Sequence, residues 1–410
     1  MKKVLILTVT AGNGHNACAH AMKKQLEHSG GVEVETVDII NEYSTPITRF
    51  NTDKGYCFAV SKAPNTYKLF YDKYRAANPD KRYTCSAQGA ALSVVNGLYK
   101  KICEFKPDVI FCTHFYGAIA LTDLKLAFNM PFKSITCCLD FVNSPFWEAA
   151  IGVDYITVPN ADFIDEFVFE GFEKSKILPL GIPSNSVGGE DISKKEARQK
   201  IGLDEDAFTV LTMFGGGHWK GAYKLFKSVF KAVQGKRVQI IALNGSDKSS
   251  YKKIEKLRKK TDVKILNSGF TDNVPLYLSA ADVAVTKCGG VSSCEMMNGG
   301  LPMVVTENIP AQEFYNLKYL KSKGAALSFK TKAELKHIFN EFFEKPEILE
   351  KMHESALSLK TNGLQDLAEF ILNLPNADYN EFECEQIKPV KKKVKQAMRL
   401  AHRNEIKKNK

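Results

Sequence analysis

No run of about 18 uninterrupted apolar residues occurs in the 410-residue chain, so a membrane-spanning helix is not expected. The ten cysteines contain no Cys-x-x-Cys pair, which removes zinc-type spacing. Cys137 and Cys138 are adjacent, and the others are scattered, mostly in apolar stretches where a free thiol acts as a small hydrophobe. A reducing, cytoplasmic setting is expected on that ground. Most of the chain also lacks a net charge. The balance of 57 Lys and Arg against 46 Asp and Glu gives +11, but ten of those cations lie in residues 386–410 beside one acid, Glu405. The basic character therefore belongs to an appendage, and a groove for nucleic acid is not implied. A secretory leader is not expected either. The apolar run after Lys2 and Lys3 is short, and a glycine loop follows it.

The chain is 44% hydrophobic and 25% charged, as in ordinary globular proteins, and its length suggests two or three domains. Val4–Val9, Val32–Val37, Val109–Thr113, Ser134–Cys138 and Tyr155–Val158 read as strands separated by helical patterns. After a Pro-, Ser- and Gly-rich break at 182–190 the alternation restarts with Phe208–Thr212, Val238–Ala242, Val263–Leu266, Val283–Thr286 and Met303–Val305. This predicts an α/β chain of two doubly wound domains facing each other across a cleft, with boundaries at 1–183, 184–375 and a basic tail, 376–410.

Two segments suit a lipid surface. Residues 43–83 interleave aromatic rings with Lys and Arg, a composition that fits a membrane–water interface or, equally, a helical insertion packing its rings inward. In 386–410, Val390, Val394, Ala397, Met398 and Ala401 recur at spacings of three and four, which would gather them on one face of a basic amphipathic helix.

Gly12–Asn13–Gly14–His15–Asn16–Ala17 follows the first strand and opens a helix, with Asp38 ending the second strand, a dinucleotide-type pattern that makes a nicotinamide or flavin enzyme one reading. A better anion site lies later. Gly289, Gly290, Val291, Ser292 and Ser293 follow a strand and start a helix, so backbone N–H groups and two hydroxyls could meet a diphosphate. Glu295 follows within the first turn, placed for both hydroxyls of a ribose. Gly215, Gly216 and Gly217, then His218, form a second phosphate-approaching loop. Asp204–Glu205–Asp206 fits a metal-binding D-x-D, but its place beside the linker suits a solvated turn better.

The succession Gly269–Phe270–Thr271–Asp272, Thr286–Lys287, Gly289–Gly290, Glu295, Leu301–Pro302 and Pro310–Ala311–Gln312–Glu313 resembles the donor half of family 28 glycosyltransferases, which are GT-B enzymes using UDP-sugars. Gly12, Gly14, His15, Asp140–Phe141 before Trp147, and Gly181–Ile182–Pro183 are similar to its glycolipid branch, the monogalactosyldiacylglycerol synthases and processive diacylglycerol glucosyltransferases. The resemblance implies uracil near Gly269 and Phe270, ribose on Glu295, diphosphate on Gly289 to Ser293, and the donor sugar facing Gln312 and Glu313. It makes His15 the base, with Asp140 beside it, and it implies a UDP-hexose co-substrate without metal or other cofactor. The expected activity is inverting hexose transfer to diacylglycerol or a related lipid at the inner face of the cell membrane. Transfer of UDP-GlcNAc to a polyprenyl-diphosphate lipid, or a non-catalytic UDP-sugar-responsive regulator, are the alternatives. Leu139, Ser144 and Cys288 depart from the usual family residues.

Overall fold

The computed structural model describes residues 1–410 except 11, 56–57, 59–62, 78–84, 186–191, 214–220, 308, 310, 383, 385–388 and 409–410. Among these residues two six-stranded sheets make up the frame, one in the order β2 (Val32–Asp38), β1 (Lys2–Thr8), β3 (Val109–Cys112), β4 (Lys133–Cys137), β5 (Tyr155–Thr157) and β6 (Ile177–Leu178), the other in the order β12 (Ala326–Phe329), β11 (Met303–Thr306), β10 (Val283–Thr286), β7 (Phe208–Met213), β8 (Val238–Leu243) and β9 (Ile265–Ser268). All pairings are parallel, as Val4 opposite Val109 and Val283 opposite Val210 illustrate. Parallel strands buried on both faces need apolar runs, and β3 (Val109–Cys112), β8 (Val238–Leu243) and β10 (Val283–Thr286) are buried at every position. The sequence reading located ten strands. It missed β6 (Ile177–Leu178), of two residues, and β12 (Ala326–Phe329), a short edge strand with two half-buried positions.

In each sheet the strand order reverses beside the first strand: β1 (Lys2–Thr8) lies between β2 and β3, and β7 (Phe208–Met213) between β8 and β10. Ligand crevices in open α/β sheets form outside the carboxyl ends of the strands at such reversals. Helix α1 (Asn13–Ser29) leaves β1, α2 (Pro64–Ala76) belongs to the aromatic insertion, and α3 (Cys85–Phe105) and α4 (Phe115–Ala127) flank β3. In the second unit α5 (Gly290–Asn298) follows β10 and α6 (Ala311–Ser322) follows β11 (Met303–Thr306).

The chain then returns. Helix α7 (Gly363–Asn373) packs on α1, with Phe370 edge-on to Tyr155 at 4.9 Å and Gln25 donating to Gln365 at 2.6 Å. The two passages between units touch each other. Gly181 has φ +109°, and a Cβ on Gly363 would lie 2.8 Å from the Gly181 carbonyl carbon. Side chains are excluded there by both conformation and space.

The tail forms the expected helix, α8 (Val390–Lys408), but its apolar face is not free for lipid. Val390 and Val394 are buried against α3 and α4, and Lys393 sits 4.4 Å over the Phe128 ring. Burying each valine in protein is worth about 1.5–3 kcal/mol, which holds the helix down. Cys103 on α3 and Cys384 ahead of α8 are joined as a disulfide, against the expectation of free thiols throughout. Cys18, Cys112, Cys137, Cys138, Cys288 and Cys294 are free and buried as expected. Among the described residues no helix is long and apolar enough to cross a membrane.

Candidate active site

A cleft of about 1600 Å³ opens between the units, lined by Asn13 and Ala17 of α1, by Gly269, Phe270 and Asp272, and by Ser292 and Glu295 of α5. The starts of α1 and α5 converge at its inner end, where a Cβ on Gly14 would lie 3.5 Å from Val291. Gly12, at φ +99°, turns the chain from β1 into α1, and Asn16 locks the turn by accepting from Thr8 Oγ1 at 2.8 Å and donating to Thr10 Oγ1 at 3.0 Å.

His15 lies in the first turn of α1 and hydrogen-bonds through Nδ1 to the Thr113 carbonyl at the end of β3. A carbonyl only accepts, so Nδ1 carries the hydrogen and Nε2 keeps its lone pair. Burial pushes the imidazole pKa down to about 4, outweighing the Thr113 bond, so His15 is neutral near pH 7. His114 packs edge-on to it at 4.6 Å. Its Nδ1 accepts from the Tyr116 N–H at 3.1 Å, which leaves hydrogen on Nε2 when the ring is neutral. Burial, and then His15, hold His114 well below the usual histidine range. Two adjacent neutral imidazoles thus have opposite tautomers, set by the Thr113 carbonyl after β3 and the Tyr116 N–H at the start of α4.

Across the cleft Glu295 is 9% exposed, and burial alone raises its carboxyl to about 8. Ser292 lines the cleft. Ser293 does not: it is fully buried, with its hydroxyl 3.6 Å from Cys288 Sγ, so the expected second hydroxyl for a diphosphate faces inward. Gly290 is the point of closest approach between the units, because a Cβ there would fall 1.7 Å from the Leu139 carbonyl oxygen. That contact brings Asp140 to the start of α5. Its carboxylate accepts from Asn316 Nδ2 at 2.7 Å, and burial raises its pKa against the pull of Asn316, Lys287 and the Gly290 N–H. Fully buried Asn316 also donates to the Cys288 carbonyl at 3.0 Å and accepts from the Phe141 N–H at 2.7 Å, clamping the two units. Glu313 pairs with Lys287 through Oε1, and its buried Oε2 has no partner among the described residues. Gln312 Oε1 accepts from Tyr67 of the insertion at 3.4 Å.

Of the expected site residues, Asn13, Gly269, Phe270, Ser292 and Glu295 line the cleft, while Asp140, Gly290 and Val291 lie at the junction of the two units, and His15 and Gln312 are not part of the lining. Phe270, 74% exposed, stands at its rim beside Gly269. Gly215, Gly216, Gly217 and His218 lie outside the described residues, although β7 leads directly to them. Asp38 does not serve a dinucleotide. Its carboxylate accepts from Thr10 N at 3.1 Å, Asn41 N at 3.0 Å and Asn41 Nδ2 at 2.8 Å, which commits it to the turn after β2. Asp204 pairs with Arg237 at 3.2 Å and accepts from the Asp206 N–H at 3.0 Å, as a surface turn does. Among the described residues no three His, Cys, Asp or Glu side chains are grouped to hold a metal. Tyr67 and Asn316 went unrecognised in the sequence. A phenol in an aromatic-rich insertion and an amide one turn past Glu313 carry no local signature.

Residues 15–184 match the family model "Monogalactosyldiacylglycerol (MGDG) synthase", and residues 210–371 match "Glycosyltransferase family 28 C-terminal domain". Monogalactosyldiacylglycerol synthase 2, chloroplastic, from Arabidopsis thaliana is 26% identical over 373 residues, covering 87% of this chain and 77% of that protein. Processive diacylglycerol beta-glucosyltransferase from Staphylococcus epidermidis is 26% identical over 379 residues, covering 90% and 93%. The crystal structure of Acinetobacter baumannii MurG superposes with a TM-score of 0.60 at 15% identity, over 91% of this chain and all of that one, which shows a shared two-unit GT-B fold.

Proposed function

Because the chain belongs to the glycolipid branch of glycosyltransferase family 28, we propose that it transfers a hexose from a UDP-sugar to diacylglycerol or a related lipid, with inversion at the anomeric carbon. The observation that carries this reading is the neutral His15, its Nε2 lone pair unprotonated, in the first turn of the helix whose Asn13 and Ala17 line a cleft together with Ser292 and Glu295 of α5. Nε2 takes the proton of the acceptor hydroxyl as that oxygen attacks the anomeric carbon. The bond from that carbon to the diphosphate breaks, and UDP leaves with the electron pair. Ser292 and the positive end of α5 meet the charge developing on the diphosphate, while Glu295 takes the ribose hydroxyls. Phe270 gives the uracil a face to pack on, and Gln312 and Glu313 address the hexose.

The acceptor is a lipid, so the cleft works beside a bilayer, and the inner face of the cell membrane is the site this reading assigns. Exposed Ile47, Phe50, Leu69 and Phe70, with Arg49 and Lys73 among them, support contact through the 43–83 insertion. Lys392, Lys395 and Arg399 on the outer side of α8 support electrostatic attraction to anionic lipid at about 1 kcal/mol each. Incubating the protein with each UDP-hexose and vesicles containing diacylglycerol, then identifying lipid products by mass, tests the activity. A mass gain of one hexose on the lipid is expected. Release of UDP with no glycosylated lipid would overturn the acceptor assignment.

A further inference from the structure

Helix α1 serves two surfaces. Cys18, Ala19, Met22 and Leu26 are buried in the first unit, while Asn13, Ala17, His20 and Lys24 line the cleft. Steps of three and four residues keep those four on one side of the helix. On that wall His20 stands between Ala17 and Ala21, so its ring has small neighbours. The ring is exposed and makes no hydrogen bond, ion pair or ring contact among the described residues. On the second unit Phe270 lines the same cleft, 74% exposed and likewise without a ring contact among the described residues. Burial would stabilise that phenyl ring, and no described side chain supplies it. Of the described cleft residues only His20, His28 and Phe270 carry rings. His28 lies about 12 Å beyond His20 along the helix axis, further from the junction with Val291.

We propose that His20 covers the second face of the uracil: the base lies between the Phe270 ring of one unit and the His20 imidazole of the other. The proposal rests on the reading that Phe270 packs on uracil. A planar base has two π faces, and stacking one of them on Phe270 leaves the other in water unless the opposite wall covers it. Imidazole is flat and aromatic with polar edges, so it stands in solvent without penalty and still stacks on a base that is seated. The first unit, which carries His15, thereby takes part in holding the nucleotide, and the seated base joins the two walls.

The test is calorimetric and needs no lipid. UDP and its 5,6-dihydrouracil analogue, which keeps the hydrogen-bonding edge of the base and loses its aromatic ring, are titrated into the wild type, His20→Ala, His20→Phe, His28→Ala and Phe270→Ala. The quantity read is the ratio of the two dissociation constants, which isolates what stacking contributes. His20→Ala is expected to cut that ratio about threefold to tenfold, the range for one aromatic contact. His20→Phe should restore it, because the flat face matters and the ring nitrogens do not. His28→Ala should leave it unchanged. Position 20 is exposed on a helix, where alanine is the best-tolerated residue, so the variant keeps its fold. A full ratio in His20→Ala, no rescue by His20→Phe, or an equal loss in His28→Ala would overturn the proposal. Phe270→Ala separates it from the reading beneath it. A lowered ratio there beside a full one in His20→Ala removes His20 alone, whereas a full ratio in both variants, or a wild-type ratio near one, removes the uracil assignment and the proposal together.

Discussion

Binding of a UDP-sugar should release a proton, and the source should be Glu295. Burial lifts its carboxyl to about 8, so at pH 7 roughly nine-tenths of free protein molecules carry the proton there. Two ribose hydroxyls donating to the carboxylate favour its ionised form, and the proton leaves as the ligand seats. If the bound carboxyl returns below about 5, near or under its ordinary value, binding at pH 7 releases about 0.9 proton, and at pH 8 about 0.5. Apparent affinity then rises by up to about tenfold per pH unit between pH 5 and 8 and flattens above. UDP-glucose is the right ligand because its diphosphate does not titrate in that window. His15 and His114 stay silent as well, since His15 titrates near 4 and His114 lies well below its usual range. Calorimetry at pH 7 in two buffers of different ionisation heat reads the proton count directly. Glu295→Gln should bind without release and without the pH slope. The raised carboxyl also has a stability signature. The stability it confers is fully present below about 4.5, its unfolded value, and is lost as pH rises through 8. Glu295→Gln should therefore gain in melting temperature relative to wild type between pH 5 and 8.5. Equal observed enthalpies for the wild type in the two buffers, or the same release in Glu295→Gln, would refute the argument.

Other outcomes can be measured on the same protein. His15→Ala should lower turnover by roughly 10²–10⁴-fold with UDP affinity nearly intact, and the acid limb of the wild-type rate profile should fall near pH 4 rather than 6.5; a limb near 6.5 would assign the base elsewhere. Asp140→Asn should tighten UDP binding while lowering turnover, because a carboxylate beside the Gly290 N–H repels a diphosphate approaching the start of α5; weaker UDP binding would mean that Asp140 supports the donor. Replacing Lys392, Lys395 and Arg399 by Glu should reduce binding to anionic vesicles at low salt with little change in melting temperature, since these side chains are on the exposed side of α8. Deleting 386–410 should lower the melting temperature too, because it uncovers the faces of α3 and α4 under Val390 and Val394.

The frame and the loops of the site were legible for a common reason: each is specified within a few consecutive residues. An apolar run bounded by turns writes a buried strand, and glycines between a strand and a helix write an anion-binding turn, so His15, Gly290 and Glu295 could be named without the fold. What escaped is set by contacts across the chain. Asn316 acts through Asp140, 176 residues away, and Tyr67 through Gln312, 245 residues away. Ser293 misled because helix phase, not composition, turns its hydroxyl to Cys288. The tail was read correctly as a helix and incorrectly as a free one, since a stripe of small apolar residues fits lipid or a neighbouring helix equally well, and only the packing of Val390 and Val394 decides between them.

The paired passages at Gly181 and Gly363 divide the molecule in a way that the order of the sequence conceals. The unit that holds His15 is made from two separate lengths of chain, and α7 is translated after the second sheet but belongs to the half translated first. Cutting after residue 183 would strip α1 of the helix that covers it, and cutting before 361 would damage the first unit while leaving the second sheet whole. During synthesis one face of α1 stays uncovered until the second unit has emerged and α7 can dock. Completion of the half that holds His15 is therefore tied to completion of the half that holds Glu295, and an incomplete chain lacks a finished cleft.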